Sequence, residues 1–270
     1  MTELGDWRSA PDRPHLTVGA ADVWRISIEA GDSPGSYWRV LSPAEQARAL
    51  RLQRASDRAA YVLAHGATRN ILAAYAQMPA SELRFETGEF GKPALAPVGP
   101  GPRLEFNLSH SGRLALLAVA LDRAVGIDIA RWEPHVDHAG IAERYFSPAE
   151  REALRALAGA PEPVVKGFFS AWSRKEAYLK ATGHGVSRGL EHFDVSLAPG
   201  EPAALIADRL DESAPSRWTM VGLEAGVGYS ATLVVASPIG EIRLFDAPEG
   251  APARAAGAPS ASRHAAHASP

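Results

Sequence analysis

Two pentapeptides constrain this chain more than anything else in it: Leu41-Ser-Pro-Ala-Glu45 and Phe146-Ser-Pro-Ala-Glu150. Each is a capping box, with Ser42 or Ser147 at the N-cap, proline at the first helical position and glutamate at the third. A strand-like segment precedes each, Val23 to Glu29 and Ala124 to Ile129, and a longer helical stretch follows each, roughly 56–77 and 163–182. Strand candidates complete both runs: 82–87, 103–108 and 114–121 in the first, 192–197, 203–207, 217–223 and 228–236 in the second. A capping box alone is common; the same order of elements at matching spacing points to duplication. The expected fold is therefore α+β, with two pseudo-symmetric halves, each a strand, a capped helix, a long helix and antiparallel strands. Two such halves packed together leave a cleft, and clefts of this kind commonly hold ligands. The expected limits are an N-terminal extension over 1–20, an N-terminal half over 21–122 and a C-terminal half over 123–246. An Ala/Pro/Ser-rich tail over 247–270 has too few large apolar residues to order itself. His264 and His267 in that tail read as solvated rather than metal-binding.

Composition narrows the function classes. The 270 residues are ample for a core, and a formal charge of −3 gives no general electrostatic reason to bind nucleic acid. The absence of cysteine excludes disulfides and thiolate metal sites. The opening MTELGDWRSA lacks the basic start and apolar run of a secretory signal. The longest apolar run, Leu114 to Leu121, is too short to span a bilayer and suits a buried strand. The expectation is a soluble cytoplasmic protein with no membrane or nucleic-acid partner.

Within this frame a few segments carry chemistry. Phe168 to Val186 reads as an amphipathic helix ending at Gly183, with Lys175, Glu176 and Lys180 beside Trp172 and Leu179. Glu176 and Lys180 project from nearly the same face, about 6 Å apart along the axis, so they can hold a cation and a phosphate together or form a surface ion pair. Asp128 sits in the apolar run Val125-Gly-Ile-Asp-Ile129, a costly place for a carboxylate without a partner, and reads as a magnesium ligand or a cap of the next turn. In Phe106-Asn-Leu-Ser-His-Ser-Gly112, residues Ser109 to Gly112 suggest a polar turn offering donors to a phosphate. A hydrolase triad there is disfavoured, because no G-x-S-x-G elbow exists and adjacent strand residues face opposite ways. Gly88-Glu-Phe-Gly-Lys-Pro93 is a turn that would hold Lys92 at its tip. Arg48, Arg51, Arg54 and Arg58 form either a solvated or a phosphate-binding helix face. Gly226-Val-Gly-Tyr-Ser-Ala231 precedes a strand and is no dinucleotide fingerprint, and His135-Val-Asp-His138 reads as a loop without a third metal ligand.

Taken together, FNLSHSG, VGIDI and WSRKEAYLK, with SPAE, GEFGKP and RYFSPAE in the same order, resemble the 4′-phosphopantetheinyl transferase superfamily, specifically its longer, two-half Sfp-like group. The resemblance covers most of the chain. It implies an enzyme, typically monomeric, with its site between the halves. Such an enzyme moves the phosphopantetheine arm of coenzyme A onto a serine of an apo acyl or peptidyl carrier protein and releases adenosine 3′,5′-bisphosphate. It further implies that Asp128 and Glu176 bind Mg²⁺ with the pyrophosphate, and that Glu176, directly or through a metal-bound water, is the base for the carrier serine. Lys180 would stabilise or protonate the leaving bisphosphate and Lys175 would help hold the phosphates. Lys92, Ser109 and His110 would contact the nucleotide, with the 3′-phosphate partnering Lys92 and His110; Arg58 falls in a region that often adds a phosphate contact.

The chain departs from many relatives in carrying Ala130 two residues after Asp128, where an acid is common, so the metal would have one protein ligand fewer. Carrier docking falls to Arg144, Tyr145 and Phe146, whose ordinary reading is a buried aromatic pair with a solvated arginine. The alternatives are a non-catalytic relative that binds coenzyme A or a carrier protein, and a Mg²⁺-dependent phosphohydrolase. The latter would need a second carboxylate cluster that the sequence lacks.

Overall fold

A computed structural model describes residues 3–28, 34–88 and 91–248. The tail from 249, with His264 and His267, lies outside the described residues, as do Glu29, Glu89 and Phe90. The chain runs through β1 (Trp7–Ser9), β2 (Ala20–Ser27), α1 (Pro34–Trp38), α2 (Pro43–Arg51), α3 (Ala55–Ala76), β3 (Phe85–Thr87), β4 (Pro93–Leu95), β5 (Leu104–Ser111), β6 (Leu114–Leu121) and β7 (Val125–Arg131). It continues with α4 (His138–Tyr145), α5 (Pro148–Ala156), α6 (Pro161–Thr182), β8 (Phe193–Val195), β9 (Leu205–Asp208), α7 (Ala214–Arg217), β10 (Trp218–Leu223), β11 (Tyr229–Ala236) and β12 (Glu241–Asp246). The fold is mixed α+β, and among the described residues no helix is long and apolar enough to cross a membrane.

Two sheets form the centre. One has the order β1-β12-β2-β6-β5 and the other β10-β11-β7. Alternation along each strand sorts its side chains into two cores. In the first sheet Trp24, Ile26, Leu117 and Val119 pack on α3, while Val23, Leu116 and Ala118 turn the other way to meet Ile127, Ile129, Leu233 and Val235 of the second sheet. The second sheet's outer face carries α6, with Ala130 and Val234 against Phe169, Ala177 and Leu179. The layers are thus α3, sheet, sheet, α6. Because β6 is covered on both faces, its sequence reads as a continuous apolar run rather than an alternating one.

Both capping boxes form as expected: Ser42 with Glu45 and Ser147 with Glu150 each exchange side-chain and backbone bonds. Each glutamate has a second function. Arg69 on α3 donates to Glu45 at 2.8 Å and to the carbonyls of Ala80 and Leu83. Lys175, at the same position along α6, lies 2.7 Å from Glu150 and donates to the carbonyls of Leu190 and Phe193. A buried cation on each long helix thus ties the capped helix to the segment that follows, once per half.

Three expectations are corrected. The C-terminal half does not extend to 246: β12 returns to the first sheet, where it lies between β1 and β2 in parallel. Edge-strand N–H and C=O groups need partners, and β12 supplies them along β2. The segment Ser109–Ser111 is strand, not turn; only Gly112, at φ +57°, turns the chain into β6. Finally, His135–His138 is not all loop, since Asp137 caps α4 by accepting the Gly140 N–H and His138 opens the helix.

Candidate active site

Gly126 decides how the site is built. A Cβ there would come within 2.2 Å of Ala177 O and 2.3 Å of Ala181 N, so only glycine lets α6 lie directly on β7. That contact sets the Glu176–Lys180 turn over Asp128. Lys180 Nζ lies 2.6 Å from Asp128 Oδ1 and 3.0 Å from Ser109 Oγ, and Ser109 Oγ donates to Asp128 Oδ1 at 2.9 Å. The Asp128 carboxylate is almost fully buried, which is tolerable only because these partners satisfy it. Glu176 faces the same point. Desolvation, and then repulsion from Asp128, push its carboxyl above the usual range, against the pull of Lys180.

From this point a cleft of about 420 Å³ opens between the halves. Ser109, His110, Ser111, Asp128 and Lys180 line its polar end, and Val136, Ile141, Phe168, Phe169 and Trp172 line an apolar wall. Ala130, two residues after Asp128 on the same strand face, sits between them. Arg131 and Glu133 pair at 3.1 Å on the rim. Asp128 and Glu176 are the two carboxylates near this end of the cleft. Among the described residues no group of three or more His, Asp or Glu converges on a metal position. Two carboxylates beside a cleft still fit Mg²⁺, which takes one or two protein oxygens and completes its shell with water and substrate phosphate.

The remaining residues sort clearly. His110 is at the cleft, and desolvation followed by the Lys180 charge holds its imidazole below the usual range, so near neutral pH it offers one N–H rather than a positive charge. Lys92 donates to Val125 O at 2.8 Å, next to Gly126 at the start of β7, and desolvation lowers its ammonium. Arg58 turns back on the α2–α3 junction and donates to Leu52 O, with its buried Nε unpartnered; it is not among the residues that line the cleft. Lys175 is a correction. Its side chain is fully buried and its three N–H bonds go to Glu150, Leu190 O and Phe193 O, on the far side of α6 from Glu176. One residue along a helix is a 100° rotation, so neighbours in sequence need not share a site.

Sequence reasoning missed His65. On α3 it stacks on Tyr61 at 3.9 Å between ring centroids, and the Arg48 guanidinium lies 6.0 Å from the centre of the same Tyr61 ring. Burial lowers the His65 imidazole to about 4, against the pull of Glu45 and with the positive charges of Arg48 and Arg69 acting in the same direction as burial. Arg48, Tyr61 and His65 thus form a series between α2 and α3. A single histidine inside a helix carries no sequence signal for this; only the approach of α2 to α3 reveals it.

The comparisons with known proteins agree with this geometry. Residues 124–234 match the family described as the 4′-phosphopantetheinyl transferase superfamily, and residues 35–122 match that described as 4′-phosphopantetheinyl transferase, N-terminal. The two matches meet between β6 and β7, where the structure passes from one sheet to the other. The 4′-phosphopantetheinyl transferase HetI of Nostoc sp. is 37% identical, over 84% of this chain and 92% of its own length. The 4′-phosphopantetheinyl transferase Sfp of Bacillus subtilis is 32% identical, over 60% of this chain and 68% of its own. On these grounds the chain belongs to the 4′-phosphopantetheinyl transferase superfamily.

Proposed function

We propose that the cleft transfers the phosphopantetheine arm of coenzyme A to a serine of an apo acyl or peptidyl carrier protein, with Asp128 and Glu176 holding Mg²⁺. The observation that carries this reading is the contact of Asp128 with Lys180 at the polar end of a cleft that continues along an apolar wall, with the Glu176 carboxylate close enough to Asp128 for the two charges to repel. Glu176 accepts the proton of the carrier serine hydroxyl as its Oγ bonds to the β-phosphorus. The bond from that phosphorus to the adenosine bisphosphate oxygen breaks, and Lys180 stabilises or protonates the departing oxygen. Bound Mg²⁺ would offset charge on the pyrophosphate during this displacement. His110, Lys92 and the Arg48–Tyr61–His65 series give the nucleotide a polar wall on the first half, while the apolar wall suits the uncharged arm or the carrier surface. One chain supplies both walls, so the monomer is the working unit in this reading.

Incubating the protein with coenzyme A, Mg²⁺ and an apo carrier protein tests the reading by mass. The expected result is one phosphopantetheine added to the carrier. An unmodified carrier with bound coenzyme A would support a binding module instead, and coenzyme A cleaved without carrier would support a hydrolase.

A further inference from the structure

β5 and β7 are edge strands of different sheets, and they meet without a backbone ladder between them. β7 uses its other edge for β11, so every second N–H along the facing edge needs a partner from elsewhere. Three side chains at alternate positions of β5 supply it. Asn107 Oδ1 accepts the Ile127 N–H at 2.8 Å, Ser109 Oγ the Ile129 N–H at 3.4 Å, and Ser111 Oγ the Arg131 N–H at 3.0 Å. The residues between them, Leu108 and His110, point away, Leu108 toward the first core and His110 into the open.

Ser109 is the middle rung, and its hydroxyl is fully used. It has one proton, given to Asp128 Oδ1, and two lone pairs, facing Lys180 Nζ and the Ile129 N–H. Nothing is left for a phosphate. This is at odds with a nucleotide contact at Ser109.

We propose that the Asn107-Leu-Ser-His-Ser111 strand is a side-chain zipper joining the two halves, in which Ser109 is a positioning residue that fixes the Asp128 carboxylate and the Lys180 ammonium. The cation part of this rests on the reading of Asp128 as a metal ligand; the zipper part does not.

The test compares wild type, Ser109→Ala, Ser109→Thr and Asn107→Ala, with Mn²⁺ as the cation probe. Mn²⁺ affinity is followed by electron paramagnetic resonance, and amide hydrogen exchange is followed by NMR. Ser109→Ala should weaken Mn²⁺ binding by about tenfold or more, as expected when a ligand loses its orienting partner. It should also speed exchange of the Ile129 amide while sparing Ile127. Ser109→Thr, which keeps the hydroxyl, should restore most of both. Asn107→Ala should lower thermal stability and speed exchange at Ile127, yet leave Mn²⁺ affinity near that of wild type. An unchanged Mn²⁺ affinity in Ser109→Ala would overturn the positioning role, as would an equal loss in Asn107→Ala. A rise in the KM for coenzyme A alone would make Ser109 a substrate contact and overturn it too. If wild type binds no Mn²⁺, the metal reading fails, and amide exchange decides the zipper: no faster exchange of Ile129 in Ser109→Ala would refute it.

Discussion

In the first half the capping-box glutamate Glu45 is held by Arg69; in the second, Glu150 is held by Lys175. The two junctions have the same parts in the same places, down to the paired backbone carbonyls. What surrounds them differs. Glu45 keeps 18% of its side-chain surface in solvent and Glu150 only 2%. Burial accordingly pushes the Glu150 carboxyl up and the Lys175 ammonium down, each against the pull of its partner. The residue after the cation is Asn70 on α3 but Glu176 on α6, and where α6 carries Lys180, α3 carries Ala74. Duplication therefore supplied a scaffold, and only the second copy acquired the charged turn over a strand aspartate. The first half lines the opposing side of the cleft with Ser109, His110 and Ser111.

The largest effect should come from breaking the second junction. Lys175→Met leaves Glu150 buried and unpaired, and should cost about 3–5 kcal/mol in urea unfolding. Arg69→Met should cost less, because water reaches Glu45. A Lys175→Met, Glu150→Leu double variant should recover much of the loss. If Lys175→Met kept its stability and raised only the KM for coenzyme A, Lys175 would be a phosphate ligand after all.

Next in size is the asymmetry of function. Glu176→Gln should lower transfer by about 10²–10⁴-fold, the range for losing a general base, without lowering stability. Retained transfer would place the base elsewhere.

A smaller effect belongs to the first half. His65 titrates near 4 when folded, well below its ordinary 6.5. As pH falls through that window the unfolded chain takes up a proton that the folded chain does not, so stability falls with pH between about 6.5 and 4. His65 keeps a minor part of its surface in solvent, and the loss should be about 2 kcal/mol rather than the full value of the shift. Urea midpoints for wild type and His65→Gln at pH 7 and 4.5 measure it: the variant should show the flatter acid limb, and parallel limbs would remove His65 as the cause.

The smallest concerns Ala130. It shares a strand face with Asp128, so Ala130→Glu should lower the Mg²⁺ concentration for half-maximal rate, by about tenfold or less. An unchanged or higher requirement would mean that the side chain at 130 does not face the metal.

The repeat, both long helices, the buried strand Leu114–Leu121 and the pairing of Asp128 with the Glu176–Lys180 turn were legible in the sequence. Capping, helix period and apolar runs are local, and the motifs carrying the resemblance lie within a few residues of the site. Three things were not. Lys175 looked like part of the active face because it adjoins Glu176, and only Glu150, distant in sequence, explains its burial. Ser109 looked like a phosphate donor because the run Ser109 to Gly112 resembles a polar, anion-binding turn. Its role became readable once β5 was seen as an edge facing β7. The departure of β12 to the first sheet had no local signal, since strand partners are chosen by unpaired edges elsewhere in the fold.

By itself, then, the sequence determined the elements and their duplication, because helix caps, residue periodicity and apolar runs are written within a few positions. The tertiary structure alone decided which polar groups reach the cleft and which are buried between elements. Burying Lys175, Arg69 and Ser109 requires every proton and lone pair to find a partner, and those partners come from segments far away in the chain.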